Sequence, residues 1–263
     1  MEGISVVIPA FGRVAELRRA IDSVATAYPE RTEIVVVDDH SADPLAPLLP
    51  RQTIGGVPIR VIRLTRNRGA GIARAFGIRR ARFDYVAFLD SDDTFAADKI
   101  DLLFERIHET GADVIFHQVE GADLYNRLMA RWARSGRRPI PFHWLIVLLN
   151  PIPTPSLTVR RRRRLGHPTL RHAEDWAFLL RYVDPTTRVD YIPRVLASVH
   201  RSIGSVGGLS AAKAAMREGE FIARRLLLRE RTIGNFARFA LGSAVGGLRI
   251  AADHLRRIKG TGR

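Results

Sequence analysis

The sequence has no cysteine among its 263 residues and very little lysine. The missing cysteine excludes disulfide scaffolds, thiol catalysis, thiolate zinc fingers and iron–sulfur clusters, and it leaves the redox compartment undetermined. Lysine occurs only at Lys99, Lys213 and Lys259, so 39 of the 42 basic residues are arginine. Arginine suits phosphate because its planar guanidinium binds two oxygens at once. The formal charge of +15 therefore indicates anionic partners, although coding composition explains the arginine excess equally well.

Long hydrophobic runs are also missing. Apolar, uncharged stretches such as 145–157 and 239–248 fall short of the roughly 20 residues that a membrane-spanning helix needs. The N-terminus has Glu2 in place of a basic leader, and its short apolar run ends at Phe11 and Gly12, which is not typical of a signal peptide. We therefore expect a cytoplasmic protein, either free or peripheral on the inner face of the plasma membrane.

A glycine-rich phosphate loop is absent as well. The first predicted strand runs into PAFGR, which matches neither GxGxxG nor GxxxxGK[ST], so a dinucleotide-binding dehydrogenase and a P-loop NTPase are disfavoured. A sugar-phosphate nucleotidyltransferase stays an alternative. That class should carry a glycine-rich N-terminal loop with a lysine, whereas this chain has no lysine before Lys99.

What the sequence does contain is an alternation of short β-rich runs with helical patterns. Apolar runs rich in valine and isoleucine predict buried strands at 4–9, 33–38, 59–64, 85–89, 113–116 and 190–199. Helical spacing of apolar residues separates the first five of them, with helices around 17–24, 72–81 and 97–109. This order predicts an α/β fold with an open, mostly parallel sheet flanked by helices. Prolines and arginine clusters predict that regular sheet is interrupted over 121–170.

Carboxylates follow two of these strands. Asp38 and Asp39 close the second strand, and Asp90, Asp92 and Asp93 follow the fourth in the string LDSDD. Ligands bind beyond the carboxyl ends of parallel strands, and three carboxylates within four residues repel one another unless a cation lies among them. A hard divalent ion with oxygen ligands, bridging phosphate oxygens, is the simplest such cation. An Asp-rich turn or helix cap is the alternative interpretation.

Basic residues concentrate near the C-terminus. Residues 209–263 hold twelve basic and four acidic side chains, a net charge of +8. The pattern predicts helix from 211 to 258, broken near Gly234, with an apolar face opposite Arg249, Asp253, Arg256 and Arg257. The residues of that face are Phe236, Phe239, Ala240, Ala244, Gly247, Leu248, Ala251, Leu255 and Ile258. Such a tail could contact an anionic membrane, form a homodimer or fold back on its own domain.

Two further arginine clusters occur earlier in the chain. One comprises Arg127, Arg131, Arg134, Arg137 and Arg138, and the other is the run 160–164. Either cluster could face nucleic acid, anionic lipid or a phosphorylated substrate, or could be the solvated face of a helix. A non-catalytic nucleic-acid-binding protein would explain the charge but has no use for carboxylates at strand ends. We therefore expect no nucleic-acid partner.

The strings SVVIPAFGR, VVVDDHS, NRGAGIAR, FLDSDD and EDW resemble, in order and spacing, those of the inverting family 2 glycosyltransferases with the GT-A fold. The resemblance covers roughly residues 4–205. It implies transfer of a sugar from a nucleoside-diphosphate sugar, a UDP-sugar as first guess, to a hydroxyl acceptor that is free or lipid-linked. The product would belong to a polysaccharide, a cell-surface glycan or a glycolipid. It also implies a donor-binding half at 1–120 and an acceptor-binding, catalytic half at 121–208, followed by the basic tail at 209–263.

The resemblance assigns roles residue by residue. Donor-binding positions are Pro9, Phe11, Asp39, Asn67, Arg74, Asp90 and Ser91. Phe11 would pack on the nucleotide base, Asp39 would hydrogen-bond it, and Arg74 would lie near the diphosphate. A divalent metal, Mn²⁺ or Mg²⁺, would be held by Asp92, Asp93 and His200. Asp175 would be the catalytic base, with Glu174 and Trp176 beside it on the acceptor side.

Each of these residues also has an ordinary structural interpretation. Phe11 could be a loop aromatic, Arg74 a surface helix residue and His200 a polar group at the end of a strand. Glu174 and Asp175 could complement the dipole of a helix that begins with them.

Overall fold

A computed structural model describes residues 2–134, 140–150, 152–162, 170, 172–200, 213–230 and 232–260. The strands are β1 (Ile4–Ala10), β2 (Thr32–Asp38), β3 (Ile59–Arg63), β4 (Tyr85–Phe88), β5 (Thr94–Phe95), β6 (Val114–Glu120), β7 (Thr158–Arg160) and β8 (Val189–Ser198). The α-helices are α1 (Val14–Asp22), α2 (Ala70–Arg80), α3 (Lys99–Thr110), α4 (Asp123–Arg134), α5 (Phe142–Leu148), α6 (Glu174–Tyr182), α7 (Lys213–Arg225) and α8 (Ile233–Gly260). All six strands expected from the sequence are present, with bounds that differ by a few residues at most.

The eight strands form one open sheet in the order β3-β2-β1-β4-β7-β6-β8-β5. The first four strands in this order pair in parallel. In the second half β6 and β8 are parallel, whereas β7 and β5 are antiparallel to their partners. The expected α/β architecture is confirmed. β4 belongs to the half expected to bind the donor, 1–120, and pairs with β7 of the half expected to bind the acceptor, 121–208. One sheet therefore spans both expected halves.

Helices cover both faces of the sheet. One apolar core contains residues of α1 and α3, and the other contains residues of α2, α4, α5, α6 and α7. Central strands are therefore buried on both sides, which explains why β1 and β2 read as continuous apolar runs. The carboxyl ends of the parallel strands are left as the open edge of the fold.

The expectation of interrupted sheet over 121–170 was wrong at β7, whose three residues join the two halves of the sheet between β4 and β6. Its Arg160 begins the arginine run, and the described members of that run make internal contacts. Arg160 lies 3.5 Å from Asp113, and Arg161 donates to the carbonyl of Phe83 at 2.9 Å. Arg162 lies over the ring of Tyr182 at 4.5 Å. These three guanidiniums contact neighbouring segments of the fold and are not a free basic surface.

Where the structure describes it, the basic tail is helical: a short 3₁₀ turn at Leu226–Glu230 separates α7 from α8, close to the break expected near Gly234. The two helices pack on the domain, α7 against α6 and α8 against α5. Between 234 and 247, where burial is described, α8 buries Arg238, Gly242 and Gly246, whereas Phe236, Ala240 and Ala244 of the expected apolar face are exposed. In this part of α8 the expected apolar face is therefore not the side that is buried against the domain. Within the part of the chain that the structure describes, no helix combines the length and apolarity needed to cross a bilayer.

Candidate functional site

The carboxylates expected at strand ends lie at one edge of the sheet. β1 pairs in parallel with both β2 and β4, so the residues that follow these three strands are neighbours in space. Asp39 follows β2, the LDSDD segment follows β4, and Phe11 follows β1. The side chain of Phe11 is 57% exposed at this edge, whereas Pro9 is buried within β1.

The two aspartates at the end of β2, Asp38 and Asp39, make different contacts. Asp38 is fully buried and accepts the backbone N–H of Ser41 at 2.8 Å and Nη1 of Arg63 at 2.9 Å. Burial raises the pKa of Asp38, but the hydrogen bonds from Ser41 and Leu45 and the charge of Arg63 outweigh it, so the pKa is lowered overall. Asp38 therefore stabilises the loop structurally.

Asp39 organises the loop that carries Asn67. Its two carboxylate oxygens accept the backbone N–H groups of Arg68 at 2.8 Å and Gly69 at 2.7 Å. Gly69 has φ 86°, a left-handed value that favours glycine, and it caps the start of α2. Asn67 is exposed at the tip of this loop. The geometry thus ties the loop after β3 to the carboxyl end of β2.

Arg74 joins the donor side of the site to the acceptor side. It lies on α2, is 5% exposed, and donates from Nη2 to Asp90 at 2.5 Å and from Nη1 to Glu174 at 2.9 Å. Burial lowers the pKa of Arg74, but the charges of Asp90, Glu174 and, to a smaller degree, Asp175 raise it above its usual value. Arg74 is therefore no surface helix residue, and its guanidinium is engaged by two carboxylates.

The LDSDD segment forms a tight turn after β4, in which the N–H of Asp93 donates to the carbonyl of Asp90 at 3.1 Å and Ser91 is half-buried. Asp93 is 4% exposed. Burial, and then the charges of Asp90 and Asp92, raise its pKa to about 8. This shift is the physical sign of a carboxylate cluster with too little positive charge around it.

His200 reaches this cluster because β5 pairs with the end of β8. Its backbone N–H donates to Asp93 at 3.2 Å, and its Nε2 lies 2.9 Å from the hydroxyl of Thr94. Asp92, 24% exposed, has its carboxylate 3.5 Å from Nη1 of Arg13. Asp92, Asp93 and the backbone of His200 therefore lie in one region, whereas the imidazole of His200 contacts Thr94.

The oxygen-rich donor set fits Mn²⁺ or Mg²⁺. Among the described residues no group of three or more acidic or histidine side chains is already arranged around one point as metal ligands. Ions of this kind are commonly bound by one or two carboxylates together with substrate phosphates, so Asp92 and Asp93 suffice on the protein side. The raised pKa of Asp93 supports the fit, because a nearby cation would restore its charged form.

Two acidic residues begin α6 on the other side of Arg74. Glu174 is 8% exposed, and burial followed by the charge of Asp175 raises its pKa to about 7 despite the contact with Arg74. Ala173, the residue before the helix, has φ 55°, and this left-handed turn brings both carboxylates to the N-terminus of α6. The carboxylate of Asp175 is only partly buried, as a group that must reach a substrate requires.

Asn150 is a residue that the sequence analysis missed. It follows α5, is exposed, and donates from Nδ2 to Oδ2 of Asp175 at 3.1 Å. The other oxygen of Asp175 accepts the backbone N–H of Trp176 at 2.7 Å. The available signal was a polar residue directly before the proline series, but spacing alone does not relate positions 150 and 175.

The expectation that Trp176 lies on the acceptor side was wrong. Its side chain is 1% exposed, and its indole N–H donates to the carbonyl of Ile146 at 2.5 Å. The guanidinium of Arg224 lies over its ring at 4.6 Å. Trp176 follows Asp175 by one residue on α6, so it faces the core while Asp175 faces the opening.

Comparison with known proteins agrees with this arrangement. The family model described as glycosyl transferase family 2 matches residues 5–166, more than half of the chain. The chain belongs to this family. Among curated proteins, the succinoglycan biosynthesis protein ExoO of Rhizobium meliloti (strain 1021) is 33% identical over 138 residues, which cover 52% of this chain. The chain spans 39% of ExoO and 17% to 64% of seven other curated relatives.

Two solved structures share the fold. Residues 1–349 of S. aureus TarS, in complex with UDP-GlcNAc, superpose with a TM-score of 0.66 at 18% identity, covering 86% of this chain and 66% of that one. The mannosyltransferase PcManGT from Pyrobaculum calidifontis, in complex with GDP-Man and Mn²⁺, gives a TM-score of 0.67 at 15% identity, covering 97% and 80%. At these identities the likeness establishes the fold alone.

Proposed function

We propose that the chain catalyses inverting transfer of a sugar from a nucleoside-diphosphate sugar to a hydroxyl acceptor. The observation that carries the proposal is the chain of contacts Asp90–Arg74–Glu174, which joins the carboxylates after β4 to the start of α6. Asp175, a partly exposed carboxylate, follows Glu174 directly in the sequence, and this supports its assignment as the base. Family 2 membership supports the same reaction class.

On the donor side, Phe11 stacks on the nucleotide base, and the loop of Asn67 that Asp39 holds lies beside the nucleoside. Asp90, oriented by Arg74, accepts hydrogen bonds from the sugar-nucleotide, with Ser91 next to it. A UDP-sugar is the first donor to test, because TarS is described in complex with UDP-GlcNAc, and a GDP-sugar is the second, because PcManGT is described with GDP-Man.

The reaction needs one proton acceptor and no protein nucleophile. The acceptor hydroxyl oxygen attacks the anomeric carbon while the bond from that carbon to the diphosphate breaks, and the configuration inverts. Asp175 takes the hydroxyl proton, and Asn150 holds the carboxylate in position through its Nδ2. The electron pair of the broken bond leaves with the nucleoside diphosphate. A divalent cation held by Asp92 and Asp93, with His200 beside them, would neutralise charge on that leaving group.

The acceptor belongs to a cell-envelope glycan, either as a polysaccharide or as a lipid-linked precursor. ExoO supports this class by its name, succinoglycan biosynthesis protein. We place the enzyme in the cytoplasm, working at the inner face of the plasma membrane, where such acceptors meet soluble nucleotide sugars.

A thermal-shift screen tests which nucleoside diphosphate the protein binds. The protein is melted with UDP, GDP, dTDP and CDP, each with and without Mn²⁺, because a ligand that binds only the folded state raises the melting temperature. One nucleoside diphosphate should stabilise the protein in a Mn²⁺-dependent way, and its sugar ester should then release the nucleotide when acceptor is added.

Two outcomes would contradict the proposal. Consumption of a nucleoside triphosphate and a sugar 1-phosphate with release of pyrophosphate would identify a nucleotidyltransferase. Salt-sensitive binding of DNA with no response to any nucleoside diphosphate would identify a nucleic-acid-binding protein.

A further inference from the structure

The exposed side of α8 is apolar, in contrast to an ordinary surface helix. From 236 to 247 the exposed residues are Phe236, Ala237, Ala240, Leu241, Ala244 and Gly247. Phe236 is 65% exposed and Leu241 43% exposed. The single charged residue of this stretch, Arg238, is on the inner side, 5% exposed, where it donates to Asn235 at 3.0 Å and to the carbonyl of Val183 at 3.4 Å. The helix is thus inverted relative to the usual amphipathic pattern.

Close packing fixes this orientation. A Cβ added at Gly242 would lie 2.7 Å from Cγ1 of Val147 on α5 and 2.9 Å from Cδ of Arg224 on α7. At Gly246 it would lie 2.9 Å from Nη1 of Arg224, the end of a side chain that can shift. At Gly242 the contact with Val147 leaves little room for a larger residue, so a rotation that buried Phe236 would drive larger side chains into this space. The apolar side is therefore held outward.

The same surface continues onto α7 and adjoins the active site. Phe221 of α7 is 49% exposed, and its ring packs against Phe239 of α8 at 6.2 Å. On its inner side, α7 brings Gly219 so close to the carbonyl of His172 that a Cβ would lie 2.6 Å from that oxygen. His172 precedes Glu174 and Asp175 by two and three residues. A membrane or partner bound to this surface would therefore lie near Glu174 and Asp175, the residues expected on the acceptor side.

The net charge of the tail indicates which kind of partner would bind the exposed face of α8. The tail that contains α7 and α8 has a net charge of +8, and after Gly247 the sequence continues with Arg249, Arg256, Arg257 and Lys259 against the single acid Asp253. A symmetric dimer through α8 would bring two such tails together, which Coulomb repulsion opposes. An anionic bilayer attracts the same charges and accepts exposed apolar side chains.

We propose that the exposed face of α8, together with Phe221, docks the protein on an anionic lipid bilayer, lying on the surface without crossing it. This deepens the proposed location of the enzyme, but it depends only on lipid binding and can succeed or fail independently of catalysis.

The test is co-sedimentation of the full chain with vesicles of phosphatidylcholine alone and of a phosphatidylcholine–phosphatidylglycerol mixture. The wild type should bind the mixed vesicles, bind the neutral ones weakly, and release as NaCl is raised. Phe236→Glu and, as a second variant at a small exposed position, Ala240→Glu should each lower the partition coefficient about tenfold or more. Ile54→Glu is the matched control, because Ile54 is fully exposed on a loop far along the chain from the tail.

Several results would overturn the proposal. These are equal binding of the wild type and both α8 variants, equal loss of binding in Ile54→Glu, and equal binding to neutral and anionic vesicles. A dimer in solution that Ala240→Glu converts to a monomer, with vesicle binding unchanged, would assign the face to a second copy. Unaltered thermal shift with the active nucleotide shows that each variant is folded, and the same assay without vesicles tests the proposed transferase separately.

Discussion

Arg74 donates from Nη1 to Oε1 of Glu174 at 2.9 Å, although the two residues lie 100 positions apart in the chain. The contact is buried, and Glu174 keeps a raised pKa of about 7 because burial and Asp175 outweigh the guanidinium. A titratable group that links the two sides of the site therefore changes charge near neutral pH.

Glu174→Gln should flatten the dependence of stability on pH. Below the ordinary pKa of 4.5 the carboxyl is protonated in both the folded and the unfolded protein. Between 4.5 and the folded-state pKa of about 7, only the unfolded chain releases the proton. The contribution to folding is thus present at low pH and lost as pH rises through about 7. Glutamine keeps an oxygen for Arg74. Melting temperatures between these pH values should fall more in the wild type, by a few degrees. Identical slopes for the two proteins would contradict the assignment.

Asp175→Asn should abolish transfer and keep donor binding. A positioned general base contributes about 10²- to 10⁴-fold to the rate, so kcat should fall within that range while the thermal shift with nucleotide is retained. Asp184→Asn is the control, since Asp184 lies just beyond the other end of α6 with its side chain 50% exposed. Loss of nucleotide binding with residual turnover would place Asp175 in the donor site instead.

Asn150→Ala should lower kcat by removing a hydrogen bond to Asp175, and it should leave donor binding unchanged. Loss of a partly exposed hydrogen bond to a carboxylate costs on the order of 1 kcal/mol, or about fivefold in kcat, with the donor KM unchanged. Asn150→Ser, which keeps a donor, should restore part of the rate. An unchanged kcat, or an equal change in the donor KM, would reduce Asn150 to a structural role.

Asp92→Asn should remove the Mn²⁺-dependent part of nucleotide binding while the protein stays folded. The side chain of Asp92 is 24% exposed, whereas Asp93 is buried, so Asp92 is the more accessible of the two proposed metal ligands. Asp98→Asn is the matched control, because Asp98 is exposed and paired with Arg194 at 2.5 Å. Turnover that persists unchanged in excess chelator would exclude a metal from the reaction.

Phe11→Ala should weaken nucleotide binding through loss of stacking. Stacking of a base on an aromatic ring is worth about 1–3 kcal/mol, so affinity for the active nucleoside diphosphate should fall between about fivefold and 100-fold. Ile54→Ala removes a fully exposed apolar side chain elsewhere and should leave affinity unchanged. Calorimetric titration measures both, and equal affinities would exclude Phe11 from the base site.

Local pattern predicted much of the fold. Strands β1, β2 and β4 are buried on both faces and so are strongly apolar, and their carboxyl ends are marked by Asp39 and by LDSDD. The positions of these residues at one sheet edge follow from parallel pairing alone. His200 lies beside the LDSDD turn, and Asp175 lies in the first turn of α6, as the order of the motifs indicated, whereas the roles of these residues stay predictions.

Contacts between distant segments decided the rest. β7 is three residues long and exists because β4 and β6 each offer it an open edge, which no local pattern shows. Trp176 has the same sequence neighbours whether it faces the acceptor or the core, and the helical rotation of α6 buries it. Likewise the period of α8 predicted an apolar face correctly, but Gly242 and Gly246 determine that this face points outward, because close packing is possible only on the side that lacks Cβ atoms.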